Sequence, residues 1–438
     1  MDMMKFSHEG CLITERTILK TAEQLKPEIQ NMARAASKKY DDDRASINLP
    51  DDKDMLKEVK KTIKEKMRLN PEYLVVIGTG GSNLGTIAVQ EAVLGRLYDQ
   101  LHPKVGVLYA DTVDTDYIRN VMQIVEPILK KGGNVIVNGI SKSGTTTETM
   151  ANFEVILNLL RKHKARYQDC VIVATDKESR LWNLAADKGF DVLDIPEKVG
   201  GRYSVLSPVG LFPLGLLGVD IEQLLAGAKD ARDLCLRQNI EDNPAAIFSA
   251  VQFLHYKKGK NIFDLFLFSN DLESLGKWYR QLMAESLGKE FNLRGERVNV
   301  GITPTVSVGS TDLHSVAQLY LGGPYDKFTT FVSVEKDQSV LDVPQLEGYS
   351  ELVVGIQGKS LKKIMDAILE GTKKAFTKDK RPFVEILLPD KSEYSIGQFL
   401  QFKMIETMYL GYLLNVNPFN QPSVESYKRE TRRILSQE

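Results

Sequence analysis

The chain lacks any apolar run approaching the roughly 18 residues that a membrane-spanning helix needs, so nothing in it is expected to cross a bilayer. Cysteine is scarce: Cys11, Cys170 and Cys235 are the only three in 438 residues and lie far apart. They form no metal-ligand spacing, and an odd, low count fits a reducing compartment, so a cytoplasmic location is expected. An excess of one charge is also missing, with 57 basic against 58 acidic residues and a formal net charge of −1. General attraction to nucleic acid or to an anionic membrane is thereby excluded, and any anion site must be local. The first residues, Met-Asp-Met-Met, carry no basic apolar leader, so no export signal is expected. The remaining composition, 42% hydrophobic and 26% charged, is that of an ordinary globular protein. At roughly 150 residues per domain, the length implies two or three domains.

The stretch richest in chemistry is Gly139-Ile-Ser-Lys-Ser-Gly-Thr-Thr-Thr-Glu148. The β-branched run Asn134–Asn138 before it reads as a buried strand. After it, Met150, Phe153, Ile156, Leu157 and Leu160 recur at helical spacing. The segment is therefore a strand-to-helix turn, where unpaired backbone N–H groups and the helix dipole favour an anion. Ser141, Ser143, Thr145 and Thr146 add hydroxyls, Lys142 adds charge, and Gly144 lets backbone approach a ligand. A helix cap alone would need only one such hydroxyl. The spacing is not that of a Walker A loop, because no Gly-Lys-Ser/Thr closes it.

A second turn of this kind, Gly78-Thr-Gly-Gly-Ser-Asn-Leu-Gly85, follows the apolar run Leu74–Ile77. Gly78 and Gly80 match the first two glycines of a dinucleotide fingerprint, but Asn83 stands where the third belongs. Gly81 and Ser82 offer a bare backbone and a hydroxyl at the helix start. Further strands are expected at 105–109, 171–174 and 192–195, with helices between them. That alternation predicts a parallel sheet covered on both faces, with both polar turns beyond the strands' C-terminal ends.

The Gly-Gly pair at 200–201 bends a loop that presents Arg202. Apolar runs at 261–268, 306–308, 328–334, 351–354 and 383–388 predict a second α/β domain, and 396–414 and 422–435 predict two closing helices. The expected fold class is α/β, with an N-terminal helical segment at 1–60, a first domain at 61–215, a second at 216–395 and C-terminal helices at 396–438.

Three further places could do chemistry. Gln281 and Glu285 lie four apart on one face of a helix predicted over 275–287. His314 falls in the first turn of a helix capped by Ser310, Thr311 or Asp312. Lys428 lies on the last helix, after Asn417-Pro-Phe-Asn-Gln-Pro422, among Arg429, Arg432 and Arg433. Each has an ordinary reading as well: a solvated glutamate near Lys289, a structural histidine, a surface lysine.

Taken together, the segments 78–85, 141–148, 199–208, 281–289, 309–314 and 417–428 resemble the glucose-6-phosphate isomerase (phosphoglucose isomerase) family, in the family's order. The resemblance implies two sugar-isomerase (SIS) type domains, each a parallel sheet flanked by helices on both faces. It implies a homodimer that interconverts glucose 6-phosphate and fructose 6-phosphate without metal or organic cofactor. Ser141, Ser143 and Thr146 then correspond to the phosphate cradle, with Lys142 and Thr145 beside them, and Gly81, Ser82, Gln281 and Gln421 to substrate contacts. Arg202 corresponds to the group that stabilises an enediolate, Glu285 to the base between C2 and C1, and His314 and Lys428 to the ring-opening residues, with His314 supplied across the dimer. Thr79, Ala284, Asn420 and Ser423 depart from the family's usual residues and bear on fine geometry rather than on the reaction.

The residue types suit that chemistry. Ring opening needs a proton delivered to one oxygen and removed from another, within reach of a histidine or lysine. One carboxylate can take a proton from one carbon and return it to the next, while a guanidinium stabilises the oxyanion. Two rivals share the cradle: another SIS sugar-phosphate isomerase, and a non-catalytic sugar-phosphate sensor. A sensor need not keep Glu285, His314 and Lys428 together, and no basic segment here recommends a DNA-binding module.

Overall fold

Short β-branched and aromatic runs build the sheets of this protein. The computed structural model describes residues 2–437. In chain order the strands are β1 (Lys5–Ser7), β2 (Pro71–Ile77), β3 (Gly106–Tyr109), β4 (Asn134–Ile140), β5 (Val171–Thr175), β6 (Asp191–Asp194), β7 (Ile262–Leu267), β8 (Lys289–Phe291), β9 (Arg297–Val300), β10 (Thr303–Val308), β11 (Lys327–Val334) and β12 (Phe383–Leu388). The chain forms two compact units, one of Asn31–Asp230 and the other of Met1–Gln30 with Ala231–Glu438.

In the 31–230 unit the sheet order is β3-β2-β4-β5-β6, all parallel. Successive residues of a strand face opposite sides of its sheet. Leu74 to Ile77, Val135 to Val137 and Val171 to Ala174 are all 0% exposed, so both faces are covered. The crossovers that parallel pairing demands include the helices Thr115–Lys130, Thr147–His163 and Arg180–Lys188.

The other unit has the order β1-β12-β11-β7-β10. Its pairings are not uniform in direction: β7, β10, β11 and β12 run parallel, while β1 lies antiparallel on β12 with Phe6 opposite Ile386. The expectation of a wholly parallel sheet fails at this edge, because a three-residue strand is too short to leave a periodic signal. The same strand explains where the units divide. Residues 1–30 join the 231–438 segment through β1, through Met4 N–H to Gln398 Oε1 at 3.0 Å, and through the His255 ring to the Cys11 carbonyl at 2.7 Å. The cuts thus fall at 30 and 230, away from the expected 60, 215 and 395. A strand was also expected at 351–354. In its place a 3-10 turn, Tyr349–Glu351, is followed by irregular chain with Leu352 75% and Val354 90% exposed. Among the described residues, that run joins none of the sheets.

Phe331 centres the aromatic core of this unit, edge-on to Phe376 at 5.2 Å and to Phe383 at 5.3 Å. The helix Glu393–Leu413 is buried all round from Tyr394 to Gly411, so it is core rather than an appended segment. Inside it Lys403 and Glu406, both 0% exposed, form an ion pair at 2.5 Å. Burial pushes the Glu406 carboxyl up and the Lys403 ammonium down, and the pairing opposes both shifts. Glu406 also accepts from Gln252 Nε2 at 3.0 Å and from the Tyr279 hydroxyl at 3.3 Å, while the Lys403 ammonium lies 4.1 Å from the centre of the Tyr279 ring. Tyr279 belongs to the helix Glu273–Leu287, so the buried pair holds the helix that carries Gln281 and Glu285.

Lys403→Met leaves Glu406 buried without its cation and is expected to lower the free energy of unfolding by about 3–5 kcal/mol. Urea denaturation checks this, and the double variant Lys403→Met/Glu406→Gln should lose less than the single one.

Candidate active site

In the 31–230 unit, β2 and β4 are neighbours in parallel register, with Ile77 opposite Gly139. The two polar turns therefore leave the sheet side by side at the same end. After β4, the Ser141 and Thr146 hydroxyls lie 3.1 Å apart, and so do those of Ser143 and Thr145. Thr146 is the N-cap of the helix Thr147–His163, yet its side chain makes no capping bond. The hydroxyls bond to one another and do not cap, which leaves the helix N-terminus able to receive an anion.

Two expectations about this turn are corrected. Lys142 does not point free charge at the turn: its ammonium is 2.7 Å from Asp176 Oδ2 and also donates to the Glu197 carbonyl at 2.5 Å. Burial raises the Asp176 carboxyl, and Lys142 partly offsets that rise. Gly144 serves the turn itself. Its φ of +66° is left-handed, and a Cβ there would sit 2.7 Å from the Leu181 backbone nitrogen, so the close approach is to the chain's own helix Arg180–Lys188.

The turn after β2 meets the loop that carries Arg202. A Cβ on Gly81 would lie 2.3 Å from the Gly201 carbonyl carbon and 2.6 Å from Arg202 N. The Ser204 hydroxyl donates to the Gly201 carbonyl at 2.7 Å, which closes the loop. Arg202 is only 2% exposed, with its guanidinium 5.3 Å from the centre of the Tyr203 ring. The loop thus holds Arg202 inside the fold. Ser82 is half-buried at the end of the 3-10 turn Gly80–Ser82, and Thr79, a departure from the family pattern, donates to the Asp111 carbonyl at 3.1 Å.

The 231–438 unit holds the remaining candidates. Gln281 Nε2 donates to Glu285 Oε1 at 3.0 Å, as the four-residue spacing requires. The Gln281 amide oxygen is buried without a hydrogen-bond partner, an acceptor that a ligand hydroxyl could fill. Lys289 is buried rather than solvated, and its ammonium donates to the backbone carbonyl of Glu285 and, at 2.9 Å, to that of Asn420. It thus ties the 417–421 loop, with Gln421 exposed at its end, to the end of the glutamate's helix.

His314 is exposed and closes the 3-10 turn Thr311–His314, ahead of the helix Ala317–Gly322. The expected cap is absent: Ser310 makes no side-chain cap bond, and Asp312 instead accepts from Val308 N–H at 2.8 Å, folding the turn back on β10. Lys428 lies on the exposed helix Glu425–Leu435, with its ammonium 2.9 Å from Glu425 Oε1. That contact lowers the Glu425 carboxyl.

Asp176 has no role in the sequence reading, where Asp312 is only a candidate cap and Lys289 only a neighbour of Glu285. Asp176 directly follows β5, a strand end where polar residues gather, and that was a usable signal. Lys289 and Asp312 act through backbone groups, which no residue pattern marks. Among the described residues no group of three or more His, Cys, Asp or Glu side chains could hold a metal ion. Nor, among them, is any helix long and apolar enough to cross a membrane.

Gly81→Ala forces its new methyl into the Gly201 backbone and is expected to destabilise the 31–230 unit by about 1–3 kcal/mol. Gly201→Ala, whose Cβ would meet nothing nearer than 4.0 Å, should be much milder. Thermal unfolding of the two variants checks the contrast.

The chain is similar to known proteins. The family model described as phosphoglucose isomerase matches residues 53–438. The glucose-6-phosphate isomerase of Carboxydothermus hydrogenoformans is 36% identical over 390 residues, covering 87% of this chain and 82% of that one. The enzyme of the same name from Exiguobacterium sibiricum is 36% identical over 384 residues, 85% of this chain and 82% of its own. Among solved structures, a hypothetical protein of Thermus thermophilus superposes with a TM-score of 0.87 at 31% identity, covering 99% of this chain and 100% of that one. A glucose-6-phosphate isomerase of Chlamydia trachomatis shares the fold, with a TM-score of 0.83 at 19% identity over 99% of this chain and 88% of its own. A match over nearly the whole chain, at this level of identity and by sequence and fold alike, makes this protein a member of the phosphoglucose isomerase family.

Proposed function

We infer that this chain interconverts glucose 6-phosphate and fructose 6-phosphate, as its family does. The observation that carries the reading is the identity of 36% with a named glucose-6-phosphate isomerase over 390 residues, and the polar groups the reaction requires fall within residues 53–438, which match the family model.

The proposed roles follow from the chemistry of each group. The substrate phosphate sits at the N-terminus of the Thr147–His163 helix, held by backbone N–H groups and by the Ser141, Ser143 and Thr146 hydroxyls. Thr145 supports Ser143 through their mutual hydrogen bond, and Lys142 supports the turn from behind through Asp176. Gly81, Ser82, Gln281 and Gln421 contact the sugar. His314 and Lys428 open the ring by giving a proton to the ring oxygen and accepting one from the C1 hydroxyl. Glu285 takes the proton from C2, which leaves an enediolate, and returns it to C1. Arg202 stays charged throughout and stabilises the oxyanion. The hydrogen bond from Gln281 keeps one Glu285 oxygen oriented.

The exposed imidazole of His314, at the end of its turn, suits a role in the site of a second copy, so a homodimer is part of the proposal. A cytoplasmic location is supported by three free, buried cysteines.

Glu285→Gln is expected to lower kcat by about 10²- to 10⁴-fold with sugar-phosphate binding retained. Coupled assay of fructose 6-phosphate conversion and calorimetric titration check this, and near-normal turnover would remove Glu285 from its role. The dimer reading has its own test. Mixed and refolded together, Glu285→Gln and His314→Gln chains should recover more turnover than the sum of the two alone. No recovery would place His314 in its own chain's site.

A further inference from the structure

The two units repeat one strand order: β10-β7-β11-β12 in one runs as β3-β2-β4-β5 does in the other. In each, the chain leaves the earliest of these strands toward one side and later returns to its other side. Such a reversal opens a crevice beyond the C-terminal ends of the two central strands. In the 31–230 unit those ends are β2 and β4, which carry the glycine turn and the hydroxyl turn. In the 231–438 unit they are β7 and β11, and a cavity of about 390 Å³ lies there. Its walls are the turn Phe268 to Asp271 after β7, the segment Ser333 to Ser339 around the end of β11, the start of the helix Leu361–Lys378, and Lys391. None of Gln281, Glu285, His314, Gln421 or Lys428 lines it.

The lining differs from that of the hydroxyl turn in charge. Lys391 is paired with Asp271 at 2.5 Å, and Lys362 with Asp366. Asp337 then leaves the wall with three carboxylates against two ammonium groups. A phosphate would have to break an ion pair or face a carboxylate, and like charges brought together are repelled. Neutral donors and acceptors come from Ser269, Ser333, Gln338 and Ser339, and an apolar side from Phe268, Met365 and Leu369. Carboxylates accept and ammonium groups donate, so adjacent hydroxyls of one ligand find partners of both kinds, and the ligand's C–H face can lie on the apolar side.

We propose that this crevice is a second binding site, selective for a neutral sugar or polyol over a sugar phosphate. It is the counterpart, in the second unit, of the crevice that serves phosphate in the first, with the anion-binding turn replaced by a wall of ion pairs.

Hydrogen-exchange mass spectrometry on the full chain tests it, with D-glucose, sorbitol, glucose 6-phosphate and inorganic phosphate as separate probes. Glucose or sorbitol should slow exchange in peptides covering 333–341 and 361–369, at half-saturation at least about tenfold below either phosphate compound in those peptides. Gln338→Ala, which removes one exposed side chain, should raise the half-saturating sugar concentration by about threefold or more. Met365→Trp fills the cavity and should abolish the protection while isomerase turnover stays within about twofold. Protection confined to 141–149, equal protection by phosphate, or no protection by either sugar would each overturn the proposal. If Met365→Trp does not fold, Gln338→Ala decides: an unchanged half-saturation refutes the site.

Discussion

The parallel pairing of β2 with β4 is the constraint on which the rest of the 31–230 unit depends. Because these strands are neighbours in register, the chain leaves both at one edge, and two turns distant in sequence become adjacent in space. A third loop then reaches them only because Gly81 has no side chain, which lets the Gly201–Arg202 backbone close in. The hydroxyls of the 141–146 turn pair among themselves, so they are ordered before any ligand arrives. In the proposed phosphate site, preorganised donors of this kind do not have to be gathered when a ligand binds.

The helix of Gln281 and Glu285 is held by a different device. Its inner side is fixed by Tyr279, which reaches a buried ion pair on the helix Glu393–Leu413. Its end is fixed by Lys289, which joins two backbone carbonyls far apart in the chain. In the proposed mechanism Glu285 serves two carbons in turn and gains from such support, because small displacements of a catalytic group cost much of its rate. Buried charge is an expensive way to pack a helix, and here it ties the helix through a hydrogen bond from the Tyr279 hydroxyl to Glu406.

The recurrence of one strand order in both units gives each a crevice at the same topological point. What fills the crevices has diverged. One is walled by hydroxyls and a helix N-terminus, the other by ion pairs that cancel each other's charge. Shared topology therefore fixes where a ligand could sit, and the side chains decide which ligand it could be.

Most of this fold was legible in the chain. Runs such as Leu74–Ile77 and Val171–Ala174 are buried on both faces and leave a continuous apolar signal, and the glycine and hydroxyl turns carry their chemistry in their composition. The four-residue spacing of Gln281 and Glu285 likewise determined that they would meet, since a helix puts such residues on one face. Other features had no local signature. β1 is too short to show a period, the run at 351–354 has the composition of a strand but joins no sheet, and Lys142 turns toward Asp176, a partner 34 residues away. Sequence alone determined most of the elements and the groups they can present, because those follow largely from contacts within a few residues. Only the tertiary structure decided which turns are adjacent, which charges are already paired and where the units divide, because each of these depends on residues brought together from distant parts of the chain.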